Sequence, residues 1–414
     1  MPNLQNTHLG ARGYEIAKVN GIKVYSFILI LLFILYSLNK ITKRIKKTKQ
    51  NLSLFIKPNL RPKKFQILLT LIVIANLILS NFTSKYQDLS IYGNFWREQG
   101  LITYLLLLAG ILVFYFFSNS WSVNFVLIGF LMSGILQSII MISQIHKFID
   151  SNGFEYIFNG YHVNGGYGQT NFVTYTTSTS LIILVNLIKN VKICNIYRLL
   201  YSLFLSSLLS LVILATIFSG SIWTIVSLLL VSVVYLIYKV SSKLRISLKF
   251  INNSLKVFLI FLIILPVVLT VLRLHTLEII ANLRFQIWDS VINYVLTYDL
   301  KNFILGIGFD SLGDWFRYLN QVPGYYVDRA HNIFLDTWLS GGILSTIALT
   351  FIVTRSIRID YTKHKSNLVS LIIVFWIIKL VINEFSICNI LEFFVLLSCG
   401  FLMNNKRNSL NDLR

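Results

Sequence analysis

In the stretch Asp328-Arg329-Ala330-His331-Asn332 a histidine stands two residues after an arginine and directly before an asparagine, at the head of a long apolar run. An imidazole, with a reference pKa of about 6.5, is suited to take a proton from a hydroxyl near neutral pH. Guanidinium groups hold phosphate through paired N–H donors. Together they equip a site for attack by a hydroxyl on a carbon whose leaving group is a diphosphate, which departs readily once its charge is held. A helix starting near Asn332 would aim unsatisfied backbone N–H groups, and the positive end of its dipole, at such an anion. Earlier in the chain, Leu283-Arg284-Phe285-Gln286-Ile287-Trp288-Asp289 has apolar residues at helical spacing and offers Arg284 as a second cation. Each residue also has a plainer reading. His331 can be an interfacial histidine capping a helix, Arg284 a snorkelling side chain or half of a surface ion pair, and Arg329 an anchor for its loop.

Other candidates are more scattered. Lys379 lies inside the apolar run Phe375-Trp376-Ile377-Ile378-Lys379-Leu380, where an ionisable group is expensive and marks function unless it pairs with Glu384 or snorkels outward. The segment Tyr161-His162-Val163-Asn164-Gly165-Gly166-Tyr167-Gly168-Gln169-Thr170-Asn171 joins freely turning glycines to Tyr, Asn and Gln, which offer the stacking faces and hydrogen bonds a sugar needs; otherwise it is an ordinary turn. Ser219-Gly220-Ser221 reads as a tight hairpin, and Leu305-Gly306-Ile307-Gly308-Phe309-Asp310 as a glycine turn without the third glycine of a nucleotide fingerprint. Asp310, Asp314, Asp328 and Asp336 can orient His331 or bind sugar hydroxyls, while Trp288, Trp315, Tyr325 and Tyr326 can stack on sugars or form an interfacial belt. Three scattered cysteines and six dispersed histidines give neither a disulfide framework nor metal-ligand spacing, so no metal site is expected.

The elements that must position these groups are membrane helices. Hydrophobic residues fill 55% and charged residues 13% of the 414 positions, and the mean hydropathy is +0.69, which excludes a soluble globular chain. Crossing a hydrocarbon core of roughly 30 Å takes about 20 apolar helical residues, and such runs recur along the chain. About eleven spans (ten to twelve) are predicted, near 22–38, 65–82, 101–117, 121–145, 171–188, 199–218, 222–238, 255–272, 333–353, 367–383 and 387–403. The expected fold is thus all-α and polytopic, one membrane domain over 1–414. The connections that include 39–64, 189–198, 239–256, 355–365 and 404–414 hold 25 of 37 basic residues but two of sixteen acids. The positive-inside rule makes theirs the cytoplasmic face, so the long loop 273–332, expected to carry short helices, faces outward. The net charge of +21 is then a topology signal with some attraction to anionic lipid headgroups, and nucleic acid is not an expected partner. No repeat of fixed period is present and the two halves do not resemble each other, which counts against an inverted-repeat transporter.

Taken in order, Arg284 with Trp288, the Leu305-Gly306-Ile307-Gly308-Phe309 turn, and His331-Asn332 followed by Gly342 after nine intervening residues resemble the O-antigen ligase and polymerase superfamily, which includes bacterial protein O-oligosaccharyltransferases. The resemblance covers the second half best; in the first half, Gly168-Gln169-Thr170-Asn171 resembles a Gly-Gln-Pro-Asn element of the protein-glycosylating branch. It implies transfer of a glycan from an undecaprenyl-diphosphate carrier to an acceptor hydroxyl at the periplasmic face of the bacterial inner membrane. The process would be lipopolysaccharide or related cell-envelope polysaccharide biosynthesis, with no cofactor and no metal. His331 would assist the acceptor hydroxyl and Arg284 would hold the diphosphate, with Asn332, Gln169 and Asn171 as further substrate-binding candidates. The acceptor would be a lipid or glycan in preference to a protein. Ile222 stands where the family often has an arginine after a Ser-rich turn, which leaves Arg273, Arg329 and Lys379 as candidates for the second cation. Repeat-unit polymerisation and protein glycosylation use the same donor, and a lipid-linked glycan transporter is the rival from another class.

Overall fold

The computed structural model describes residues 64–93, 99–117, 120–152, 170–191, 195–244, 246–271, 284–319, 329–359, 364–382 and 387–405, with part of 17–35. These residues are 88% helix and include no strand. In chain order the helices are α1 Lys64–Phe82, α2 Gln87–Tyr92, α3 Leu101–Phe117, α4 Ser120–Asn152, α5 Thr170–Asn190, α6 Ile196–Phe218, α7 Ile222–Lys243 and α8 Leu248–Val271. They continue with α9 Arg284–Ser290, a π-helical turn Val291–Leu296, α10 Leu300–Leu305, α11 Leu312–Leu319, α12 Ile333–Ser356, α13 His364–Ile382 and α14 Ile387–Asn405. Long Leu, Ile, Val and Phe runs fold this way because in lipid a helix satisfies every backbone group within its own segment.

Helices occupy ten of the eleven predicted span positions, and the first, 22–38, lies only partly within the described residues. Five helices are long and apolar enough to cross a membrane: α4, α5, α6, α7 and α12. Shorter apolar stretches run through α1, α3, α13 and α14. This is the build of a multi-pass membrane protein. Among the described residues of 273–332 short helices are present: α9 begins at Arg284, and α10 and α11 follow it.

The chain folds as two compact units. The second draws on Asn119–Ile263 and Ser356–Gly400. Its central helix is α5, whose span is 61% buried, against 22% for α6 and 17% for α7. Every residue of α5 from Phe172 to Ser180 is buried, and seven of those nine are hydroxyl-bearing. Small residues let that polar face pack: a Cβ on Gly134 of α4 would come within 1.8 Å of Ser180 Oγ, which donates to Phe130 O at 2.8 Å.

The first unit draws on Met1–Ser118, Ile264–Arg355 and Phe401–Arg414. Its organising feature is a break in α12. The sequence predicts one continuous span here, with Gly341-Gly342 admitting a neighbouring helix. The structure instead bends the helix at that pair, with φ −145° and ψ 15° at Gly341 and φ 72° and ψ −178° at Gly342. A break frees carbonyls that must find donors elsewhere. Leu339 O accepts from Ile307 N (2.7 Å) and Gly308 N (3.2 Å), and Gly341 O accepts from Ser345 Oγ (2.7 Å) and from Asn76 Nδ2 of α1. Trp338 Nε1 donates to Phe303 O at 2.8 Å. The glycine turn 306–310 is thereby docked onto the break. Its other side is tied to the end of α1, where Asn81 Oδ1 accepts from Phe309 N (2.9 Å) and Ser84 Oγ donates to Ile307 O.

Candidate active site

His331 sits between the start of α12 and the short strap Arg329-Ala330, and both of its neighbours are fixed by side chains. Ala330 is fully buried; its N–H donates to Asp336 Oδ1 (2.8 Å) and its carbonyl accepts from Trp288 Nε1 (2.8 Å). On the other side Asn332 is also fully buried, and its Oδ1 accepts from Phe334 N (2.9 Å) and Leu335 N (3.1 Å), capping the helix as an Asn ahead of an apolar run should. Between these two fixtures His331 adopts φ 55°. Among the described residues only it and Asp310 (φ 51°) are non-glycine residues with positive φ. A non-glycine residue in that region carries strain of about 1–3 kcal/mol and persists only where its surroundings over-determine it.

Gln99 joins Asp310 to Arg329, two residues before His331. Asp310 Oδ2 accepts from Gln99 N (3.1 Å), and Gln99 Oε1 accepts from Arg329 Nη2. Arg329 is 6% exposed, and Tyr104, which hydrogen-bonds with it, stacks on Phe309 with ring centres 4.1 Å apart. Arg329 is thus linked through Gln99 to the glycine turn. Gln99 and Tyr104 escape notice in the sequence because nothing local marks them. Asn76 and Asn81, amides inside an otherwise apolar run, carry a readable signal.

Three sequence elements therefore meet in one body. Trp288 of α9 bonds to the residue before His331. The Gly306–Asp310 turn docks on the carbonyl of Leu339. Gly342 lies so close to α10 that a Cβ there would be 1.8 Å from Ile304 O, and one on Gly306 would be 2.4 Å from Leu339 O. An apolar cluster including Ile287, Trp288, Leu296, Trp315, Ala330 and Leu339 fills the space between them. Arg284 opens α9 one turn before Trp288; its side chain, like Arg273 and Gln169, lies outside the described residues. Trp288→Phe keeps the ring in this cluster but leaves the buried Ala330 carbonyl without its donor. A loss of about 1–3 kcal/mol is expected, measured as thermal unfolding of the purified protein.

The second unit gathers the remaining candidates. Lys379 is fully buried in α13, donates to Thr174 Oγ1 and lies 4.2 Å from the Tyr175 ring centre. Thr224 Oγ1 lies 3.0 Å from Thr174 Oγ1 and 2.7 Å from Ser221 Oγ, which donates to Asn171 Oδ1 at 3.0 Å. Lys379, Asn171 and the Ser219–Ser221 turn are thus ends of one hydroxyl chain, while Ile222 faces outward at 69% exposure. Glu384, the pairing partner considered for Lys379, lies outside the described residues. The hydroxyl run 174–180 that supplies this chain is visible in the sequence as an unusually polar stretch within a span. Among the described residues no group of three or more His, Cys, Asp or Glu side chains is placed to hold a metal ion. Compared with protein-family models, curated proteins and solved structures, the chain matches none.

Proposed function

We propose that this chain transfers a glycan from an undecaprenyl-diphosphate carrier to an acceptor hydroxyl at the outer face of the bacterial inner membrane, in the manner of an O-antigen ligase. In this reading His331 takes the proton of the acceptor hydroxyl, and the hydroxyl oxygen forms a bond to the anomeric carbon. The bond from that carbon to the diphosphate oxygen breaks, and undecaprenyl diphosphate leaves with the electron pair. Arg284 holds the departing charge. Arg329 anchors the strap and Asn332 caps the helix, so both position the base. In the second unit Lys379 is linked by hydroxyls to the Ser219–Ser221 turn, and a cation beside such a turn is what the resemblance implies.

The observation that carries this reading is the strained backbone of His331 at the meeting point of three motifs. Strain held by Trp288, Asp336 and Asn332 around one imidazole is the mark of a positioned functional group. A helix-capping role needs no such strain, and Asn332 already fills it.

The test is the glycan profile of the native host with the gene deleted, complemented by the parent chain or by an expressed His331→Ala variant. The expected result is restoration by the parent alone, with long carrier-linked chains accumulating in the variant. Single carrier-linked units would move the assignment to a repeat-unit polymerase, and a normal profile with the variant would sink the enzyme reading. Lys379→Met should leave thermal stability unchanged or higher, since it takes a polar group out of a fully buried site and keeps an unbranched side chain of similar size. The same profile should nonetheless show impaired transfer.

A further inference from the structure

A cleft of about 180 Å³ opens in the first unit, with Lys85, Tyr298, Lys301, Asn302 and Trp315 among its lining residues. None of these takes part in the reaction proposed for His331. The walls come from two distant stretches, the turn after α1 and the segment from Tyr298 to Trp315, and they are tied to each other. Lys301 Nζ donates to Thr83 O and Ser84 Oγ donates to Ile307 O across the two, while within the second stretch the Tyr298 and Trp315 rings meet edge-on with centres 5.7 Å apart. The cleft is therefore preformed.

Its chemistry is cationic and aromatic. The Lys85 ammonium lies 5.5 Å from the Trp315 ring centre and 5.7 Å from that of Tyr86, and Lys301 supplies a second positive charge. Asp299 is the one acid among the described lining residues, and its Oδ1 already accepts from Lys301 N at 3.1 Å, capping α10. Tyr298 is 58% exposed and presents an accessible aromatic ring, while the side chains of Thr83, Ser84 and Asn302 are committed to backbone carbonyls and stiffen the walls. The volume falls below the roughly 300 Å³ at which drug-sized pockets begin, so the occupant is small, of the order of one sugar ring.

We propose that this cleft binds a single anionic sugar residue, a uronic acid or a phosphorylated hexose, within a glycan substrate. The identity of the substrate rests on the glycan-transfer reading, whereas binding is measured without turnover and so stands or fails separately.

The experiment is saturation-transfer difference NMR on the full chain in phosphatidylcholine nanodiscs, with glucuronic acid, glucose 6-phosphate, glucose and inorganic phosphate as probes. Both acidic sugars are expected to receive saturation, and glucose little. Inorganic phosphate should displace them only weakly. Binding should fall about tenfold in Lys85→Gln/Lys301→Gln, the loss of a charge-assisted hydrogen bond. Both lysines are exposed, so the fold should tolerate the change. Tyr298→Ala should weaken sugar binding without altering phosphate displacement, and His331→Ala should bind like the parent. Equal signals for glucose and glucuronic acid, or full binding by the double lysine variant, would overturn the proposal. So would loss of the signal in phosphatidylglycerol discs, which would give the cleft to a lipid headgroup.

Discussion

Gly342→Ala is expected to destabilise the first unit by roughly 3–5 kcal/mol, the combined effect of a left-handed backbone and of overpacking. At φ 72° the new methyl is strained wherever it points, and it would lie 1.8 Å from the carbonyl oxygen of Ile304. That contact is backbone, so no side-chain rotation relieves it. The damage should spread, because the break in α12 is what presents Leu339 O to Ile307 and Gly308. Poor recovery from membranes and a lowered unfolding temperature are the readouts. Unchanged stability would mean that the turn does not dock as described.

His331 gives the second large effect, of a different kind. Loss of a general base typically lowers turnover by about 10²–10⁴-fold, and His331→Ala should show a loss of that order. His331→Gly separates chemistry from architecture. Glycine accepts φ 55° without strain, and its greater freedom in the unfolded chain offsets the gain, so stability should stay within about 1 kcal/mol of the parent. Transfer should be lost all the same, with partial recovery on adding free imidazole. A variant that is unstable yet still transfers glycan would make His331 a structural residue.

Much of this arrangement is legible locally. Apolar spacing after Arg284 announces α9, an asparagine before an apolar run announces the cap of α12, and two glycines separated by one residue announce the turn. Each is a short-range preference of the chain. The bend at Gly341-Gly342 is not legible in the same way, because two glycines permit a break without requiring it. The outcome is decided by donors far away in sequence, Asn76 on α1 and the N–H groups of Ile307 and Gly308, which collect the freed carbonyls. Arg329 shows the same limit. As a sequence feature it suits a phosphate as well as a loop anchor, and the choice depends on Gln99, which enters its surroundings through the tertiary fold. The hydroxyl chain reaching Lys379 is half visible: the polar run 174–180 stands out within a span, but its connection to Ser221 and Asn171 is a product of packing.

The central claim, that His331 activates a hydroxyl for attack on a diphosphate-linked glycan, is met most directly in proteoliposomes holding the purified chain, an undecaprenyl-diphosphate oligosaccharide and a lipid-core acceptor. The quantity to measure is undecaprenyl diphosphate released per glycosylated acceptor formed. Equal release and product with the parent chain, and neither above background with His331→Ala, is the expected result. Donor that crosses the bilayer intact without release of carrier, at the same rate in parent and variant, would contradict it and make the chain a transporter.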